Sequence, residues 1–327
     1  MMDDEIVGGQ KPVLSMVFPV WNEEENLEIL HGEVSEALKL LDLPYELLFV
    51  DNGSTDGSLA LIKQLARRDP NVRYISLSRN FGHQGGLFAG LWYCRGDAAI
   101  TMDADLQHPP SLIPEMVRLW QQGFEVVYTK KRNHDVSGLR SIQVRLFYKG
   151  LSKLSGLTLS FGQSDFRLLD RRVIDVILNI PENRKFLRGT VEWVGFRQTG
   201  LEYDVAKRHA GQSKFSYRSL FGFALDGILA FSVVPLRWIF VVGSVTATLS
   251  LLYVGLAFVL GVLNLLGVGV NIPPGWATLA VSVMFLGAVQ LIAIGILGEY
   301  IGRIYDQTKG RPTFIVRETS DSGWNPC

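Results

Sequence analysis

Residues 238–298 contain no Asp, Glu, Lys, Arg or His. A charge-free run of that length cannot build a water-facing surface, so it must lie in an apolar surrounding. One helical crossing of a hydrocarbon core takes about 20 apolar residues. The run holds two segments long enough, 238–263 and 276–297, separated by 264–275. Two antiparallel membrane-spanning helices are expected, joined through the Asn271-Ile272-Pro273-Pro274-Gly275 turn. The alternative, a hairpin buried in a soluble core, fits poorly because a core that long rarely lacks every charge. Lys207, Arg208, Lys214, Arg218 and Arg237 precede the first segment, and Arg303, Lys309, Arg311 and Arg317 follow the second. By the positive-inside tendency, the large amino-terminal domain and both termini are expected in the cytoplasm, on a cell (inner or plasma) membrane crossed twice. The first residues, Met1-Met2-Asp3-Asp4-Glu5, are acidic and polar, unlike a secretory signal.

Lys plus Arg and Asp plus Glu number 32 each, a balance that argues against a nucleic-acid partner. Cys94 and Cys327 lack metal-ligand spacing and fit a reducing compartment. Ahead of the apolar run, short apolar segments bounded by Gly, Asp, Asn and Ser predict strands at 14–20, 45–51, 72–77, 98–103 and 125–128. Between them lie helical patterns, one opening at Asn22-Glu23-Glu24-Glu25-Asn26 with apolar residues at Leu27, Leu30, Val34, Leu38 and Leu41, another opening at Asp56-Gly57-Ser58, and a third near 171–178. Strand and helix in alternation predict an α/β fold with a doubly wound, mostly parallel sheet. The expected division is a globular domain over 1–206, a basic loop with amphipathic interfacial helices over 207–234, the two spans over 235–302, and a tail over 303–327. Thr313-Phe314-Ile315-Val316 in that tail reads as a short strand able to pair with a sheet edge, including that of a neighbouring subunit, so a homo-oligomer is open.

Two acidic clusters stand where apolar runs end: Asp51-Asn52-Gly53-Ser54-Thr55-Asp56, and Asp103-Ala104-Asp105. Ligands of open α/β sheets bind beyond the carboxyl ends of the strands, so both clusters should face one crevice. In extended chain Asp103 and Asp105 point to the same side and can reach one divalent cation, and Gln107 continues the spacing with an amide oxygen. Carboxylate and amide oxygens suit Mg²⁺ or Mn²⁺, which could clamp a diphosphate.

With these motifs go Val17-Phe18-Pro19-Val20-Trp21-Asn22-Glu23-Glu24, Ser78-Arg79-Asn80-Phe81-Gly82, Leu106-Gln107-His108-Pro109, Asp165-Phe166-Arg167-Leu168 and Ser213-Lys214-Phe215. In that order, and followed by two spans, they make the chain resemble the family 2 glycosyltransferases of the GT-A fold. The likeness is to the polyprenyl-phosphate glycosyltransferases, nearest the bactoprenol glucosyltransferase branch, whose relatives include the dolichyl-phosphate mannose synthases. The resemblance implies an enzyme that moves a sugar, with inversion, from a UDP-sugar to a polyprenyl (undecaprenyl) phosphate. UDP-glucose is the favoured donor and GDP-mannose the alternative. It also implies that Pro19, Asn22, Glu24, Asp51, Asp103 and Ala104 border the nucleotide, and that Asp103, Asp105 and Gln107 hold the metal. For Asn22 and Glu24, helix capping is the competing role. Asp165 falls where acceptor-alcohol relatives place a general base, and it could equally orient a substrate or hold Arg167. Asp103, Asp105 and Asp165 are thus the expected catalytic residues.

An anionic acceptor needs positive charge to come beside an anionic donor. Lys130, Lys131, Arg132, Arg140 and Arg145 follow the fifth strand, with Arg132 and Arg140 preferred for the fit of guanidinium to phosphate. A solvated or headgroup-facing basic surface is the other reading of Lys130, Lys131 and Arg145. Arg208, Ser213 and Lys214 lie on a basic loop that could close over diphosphate or lipid phosphate. His83 in a glycine-rich turn and His108 beside the acidic motif are weak signals, more often local packing. A processive polysaccharide synthase is disfavoured because Pro235-Leu236-Arg237-Trp238 is not a Gln-x-x-Arg-Trp element and two spans cannot wall a polymer channel. A non-catalytic membrane scaffold would not need the intact Asp103 and Asp105.

Overall fold

A computed structural model describes residues 12–132, 163–182, 186–204, 234–267 and 275–321. They form two compact units, one a sheet flanked by helices that also takes in residues 310–321, the other a pair of long helices.

The sheet unit runs β1 (Leu14–Val20), α1 (Glu24–Lys39), β2 (Tyr45–Asp51), α2 (Ser58–Arg68), β3 (Val72–Leu77), α3 (Gly82–Tyr93) and β4 (Ala98–Thr101). After a turn of 3₁₀ helix come α4 (Ile113–Gln121), β5 (Val126–Lys131), β6 (Gln163–Asp170), α5 (Arg171–Asn179), α6 (Leu187–Val194), β7 (Gln198–Tyr203) and, far along the chain, β8 (Val316–Thr319). The strand order is β7-β5-β6-β4-β1-β2-β3-β8. Strands β4, β1, β2 and β3 are parallel neighbours. Strand β6 enters antiparallel between β4 and β5, β7 runs parallel to β5, and β8 closes the far edge antiparallel to β3.

The parallel strands are apolar on both faces because helices cover both. Leu14, Met16 and Phe18 of β1 pack with Leu27, Leu30 and Val34 of α1, Ile62 of α2 and Met116 of α4. Val17, between them in sequence, packs on the opposite face with Leu87 and Leu91 of α3, Ile174 of α5 and Val191 of α6. Each fully buried Leu contributes about 2 kcal/mol of apolar transfer before ordering costs. Helix α3 lies close against β1 because Gly90 presents no side chain there: a Cβ on it would sit 2.1 Å from Val17 Cγ1. This seats the amino end of α3 beyond the carboxyl end of the sheet.

The first three expected strands match in full. The fourth ends at Thr101, two residues short of Asp103, so the acidic pair stands on a loop and not on extended strand. The fifth continues to Lys131, placing Lys130 and Lys131 within β5. The tail strand lies three residues later than expected, and it pairs with β3 of its own chain. It is clasped by Arg73, whose guanidinium bonds both oxygens of Asp321 (3.0 and 2.6 Å) and also pairs with Glu46.

The second unit is α7 (Val234–Leu265) and α8 (Trp276–Thr308). Each contains a stretch long and apolar enough to cross a membrane, Leu236–Leu260 with mean hydropathy 2.0 and Ser282–Thr308 with 1.8, and neither stretch is buried by protein. Thr246, Thr248 and Ser250 return their hydroxyls to carbonyls one turn back, each at 2.8 Å, so these three donors are met within the helix. The Asn271–Pro274 turn and the basic loop with its amphipathic helices fall outside the described residues.

Candidate active site

The carboxyl ends of β1, β2, β3 and β4 lie at one end of the sheet, and the antiparallel run of β6 brings its first residues to the same end. Thr101 is the register partner of Arg167, so two further residues on each chain carry Asp103 and Asp165 to neighbouring positions. An open cleft of about 330 Å³ lies here, lined by Pro19, Trp21, Asn52, His83, Asp103, Ala104 and Asp105 among others. Of the expected site residues, the structure brings Pro19, Asp103, Ala104 and Asp105 to this cleft.

Asn22, Glu24 and Asp51 stand beside it with structural partners. Asn22, at a φ of 56° that Asn tolerates, accepts the Thr55 N–H at 2.8 Å. Glu24 accepts the Gly57 N–H at 2.8 Å. Asp51 is buried, accepting the Ser54 N–H at 3.0 Å and the Ser76 hydroxyl at 2.8 Å. Together these bonds fix the loop after β2 against the start of α1. Glu24 is inside α1, whose N-cap position is Glu23, and the Gly57 that it binds is the N-cap position of α2. Gly53 is required where it stands, since its φ is +71° and a Cβ would meet the Arg79–Asn80 backbone at 2.7 Å.

Asp103 lies between two imidazoles. His108 Nε2 is 3.2 Å from its Oδ2, and His83 Nε2 is 3.5 Å from its Oδ1. Burial would raise the Asp103 carboxyl, but the His108 hydrogen bond and the charge on His83 outweigh it and hold the group below the ordinary value. His108 is fixed from behind by Tyr203, whose hydroxyl is 2.8 Å from Nδ1. Burial pushes the Tyr203 phenol up to about 12, so it keeps its proton; the His108 tautomer that donates from Nε2 to Asp103 accepts the Tyr203 hydroxyl at Nδ1.

Asp165 is almost wholly buried and heavily bonded. Arg188 grips it with two parallel bonds, Nε to Oδ1 at 2.7 Å and Nη2 to Oδ2 at 2.8 Å, and His83 Nε2 adds a third at 3.2 Å. Arg167 Nη2 is 3.8 Å from Oδ1. Burial alone would raise this carboxyl, yet His83 and Arg188 hold it far below the ordinary carboxylate range. The same contacts raise His83 against its own burial, through the Asp165 bond first and the Asp103 charge second. Arg167 is itself buried, which pulls it down to about 10, still charged at neutral pH.

The donor set fits a hard divalent cation: two carboxylates on one cleft, with room for substrate oxygens. Among the described residues no group of three or more His, Cys, Asp or Glu is disposed to hold a metal. Gln107 is buried, and its Nε2 has no hydrogen-bond partner. Arg132 is exposed and pairs with Glu202 at 3.7 Å and Asp204 at 3.5 Å. Arg140, Arg145, Arg208, Ser213 and Lys214 lie outside the described residues.

Residues 15–178 match the glycosyl transferase family 2. The chain belongs to that family. It is 39% identical to an uncharacterized glycosyltransferase of Synechocystis sp. over 93% of this chain and 95% of that protein. It is 40% identical to the SfII prophage-derived bactoprenol glucosyl transferase of Shigella flexneri over 94% of this chain and 98% of that one. Among solved structures it is similar to glucosyl-3-phosphoglycerate synthase from Mycobacterium tuberculosis with Mn²⁺, UDP and glucosyl-3-phosphoglycerate, at 18% identity and a TM-score of 0.43, covering 67% of this chain and 78% of that one. Family membership makes the protein a glycosyltransferase. It also gives the sheet unit its GT-A architecture. The residues that sequence reasoning underweighted are His83, His108, Arg188 and Tyr203. Arg188 has no local signal: it meets Asp165 because α6 packs on α5 and on β6, and its start is tied to α3 where the Leu187 N–H donates to Gln84 at 2.9 Å.

Proposed function

We propose that the protein transfers glucose from UDP-glucose to the phosphate of a polyprenyl phosphate such as undecaprenyl phosphate, with inversion, at the cytoplasmic face of a membrane. The observation that carries this reading is the placing of Asp103 and Asp105 on one strand-end cleft in a chain that also holds two membrane-length helices. Relatives about 40% identical over nearly the whole chain and named bactoprenol glucosyl transferases support the sugar and the acceptor.

In this reading Pro19, Asn22, Glu24, Asp51, Asp103 and Ala104 border the nucleotide, and Asp103, Asp105 and Gln107 hold Mg²⁺ or Mn²⁺. When bound, that ion neutralises the charge growing on the departing diphosphate. Asp165 need not take a proton, because a phosphate monoester with a second pKa of about 6 is largely dianionic at neutral pH. Lys131, Arg132, Arg140, Arg145, Arg208, Ser213 and Lys214 supply positive charge for the acceptor phosphate or the diphosphate.

The test is transfer from a panel of labelled UDP- and GDP-sugars to undecaprenyl phosphate by detergent-purified protein, with Mg²⁺, Mn²⁺ or chelator. Chelator-sensitive labelling of the lipid from UDP-glucose is the expected result. Labelling from GDP-mannose instead would replace the donor, and nucleotide binding without transfer from any donor would overturn the reading.

A further inference from the structure

Asp103 stands on a loop beyond the end of β4, so strand geometry does not aim its carboxylate. A side chain does. Oδ2 meets His108 Nε2 at 3.2 Å, while Oδ1 lies toward His83, which lines the cleft. The Asp103 side chain is 35% exposed and that of His108 is 2% exposed, so this contact ties a group on open space to one fixed inside the protein. The His108 ring packs against Phe166 of β6, with centroids 5.2 Å apart, and meets Tyr203 of β7 edge-on at 5.8 Å. The Tyr203 hydroxyl is 2.8 Å from Nδ1, and the Ser164 hydroxyl is 3.3 Å from Nε2. To bring His108 back to Asp103 the chain turns at Leu106, whose φ of 59° is a left-handed conformation that leucine rarely adopts. Such a residue persists where its surroundings over-determine it. Here the Leu106 side chain packs on the core, and His108 closes the loop on Asp103.

Packing alone would ask only for a flat apolar ring at this place, yet both ring nitrogens of His108 face polar partners. A carboxylate can only accept, so the neutral ring donates from Nε2 and takes the Tyr203 hydroxyl at Nδ1. The tautomer and the ring plane are thereby set, and through them one oxygen of Asp103. We propose that His108, locked by Tyr203, is a positioning residue that holds Asp103 in the orientation that serves the diphosphate of the donor and its metal ion. This role deepens the reading of the cleft as a UDP-sugar site and rests on it. Carboxylates that ligate a metal are themselves held by hydrogen bonds, and loss of such a bond typically costs about 10–100-fold in metal affinity.

The experiment measures UDP binding to full-length protein in detergent by calorimetry, with Mn²⁺ and with chelator, beside thermal unfolding. In Mn²⁺, His108→Leu is expected to weaken UDP binding at least about tenfold, and Tyr203→Phe about fivefold, as for one lost hydrogen bond. His108→Gln, whose amide N–H reaches as far as Nε2–H, should stay within about threefold of the parent. Because His108 acts through Asp103, adding His108→Leu to Asp103→Asn should cost no more than about twofold beyond Asp103→Asn alone. The role is overturned if His108→Leu and Tyr203→Phe bind UDP in Mn²⁺ as the parent does. It is also overturned if the losses from His108→Leu and Asp103→Asn multiply as for independent sites. Should His108→Leu fail to fold, Tyr203→Phe and its combination with Asp103→Asn decide by the same affinities. A parent that binds UDP but transfers no glucose to lipid overturns the proposed function and leaves this role to stand on the affinities, whereas a parent that binds no UDP overturns both.

Discussion

At the scale of single residues, surroundings decide chemistry more than residue type does. The carboxyl of Asp165 is far below its ordinary value, so it contributes stability that is complete above the unfolded value of about 4 and is lost as pH falls further. Removing it also leaves Arg167 and Arg188 without their common partner. Asp165→Asn is therefore expected to lower stability at pH 7 on the order of 3 kcal/mol, with the gap from the parent closing as pH drops below about 4. Thermal unfolding across pH 3–7 measures this, and a gap independent of pH would contradict it. Asp103 and Asp105 were legible from spacing because the acidic pair is local in sequence. His83 and Tyr203 around that pair and Arg188 on Asp165 were not, since each comes from a different element and leaves no periodic mark.

At the scale of elements, the apolar runs and their Gly, Asp and Asn boundaries located β1, β2 and β3 to the residue, because strands buried on both faces are continuous apolar segments. The end of β4 was less legible: Met102 continues the apolar run, but Thr101 is the last strand residue. Helix α3 gave almost no amphipathic signal, being apolar and glycine-rich along most of its length, and its placement depends on Gly90 beneath Val17. Gly90→Ala must push a methyl group into a space with Val17 Cγ1 at 2.1 Å. The expected cost is about 1–3 kcal/mol. Lower transfer activity should follow, because α3 carries His83. A variant as stable and active as the parent would show that α3 does not set the site.

At the scale of the whole molecule, the chain leaves its sheet, makes two long apolar helices, and returns to complete the sheet edge with β8. Composition announced the helices plainly, but the return could be read only as a strand seeking some edge. The choice of β3 is made by register and by Arg73 gripping Asp321, a contact between residues far apart in sequence. A truncation before the first span therefore strips an edge strand as well as the membrane helices. The informative variant replaces residues 234–308 with a flexible linker and keeps the tail. It is expected to bind UDP like the parent and to glucosylate long-chain acceptor in membranes at least about tenfold more slowly, since loss of the anchor lowers the effective concentration at the lipid. Equal rates would show that the helices do not serve acceptor use.

The central claim is that the cleft holding Asp103 and Asp105 carries out sugar transfer to a lipid phosphate. Its most direct measurement compares parent and Asp105→Asn protein, both shown to be folded, for labelling of undecaprenyl phosphate from radiolabelled UDP-glucose. Labelling by the parent and a fall of about 100-fold or more in the variant is the expected result, since loss of a metal-holding carboxylate removes charge stabilisation worth several kcal/mol. Equal labelling by the two proteins would contradict the claim.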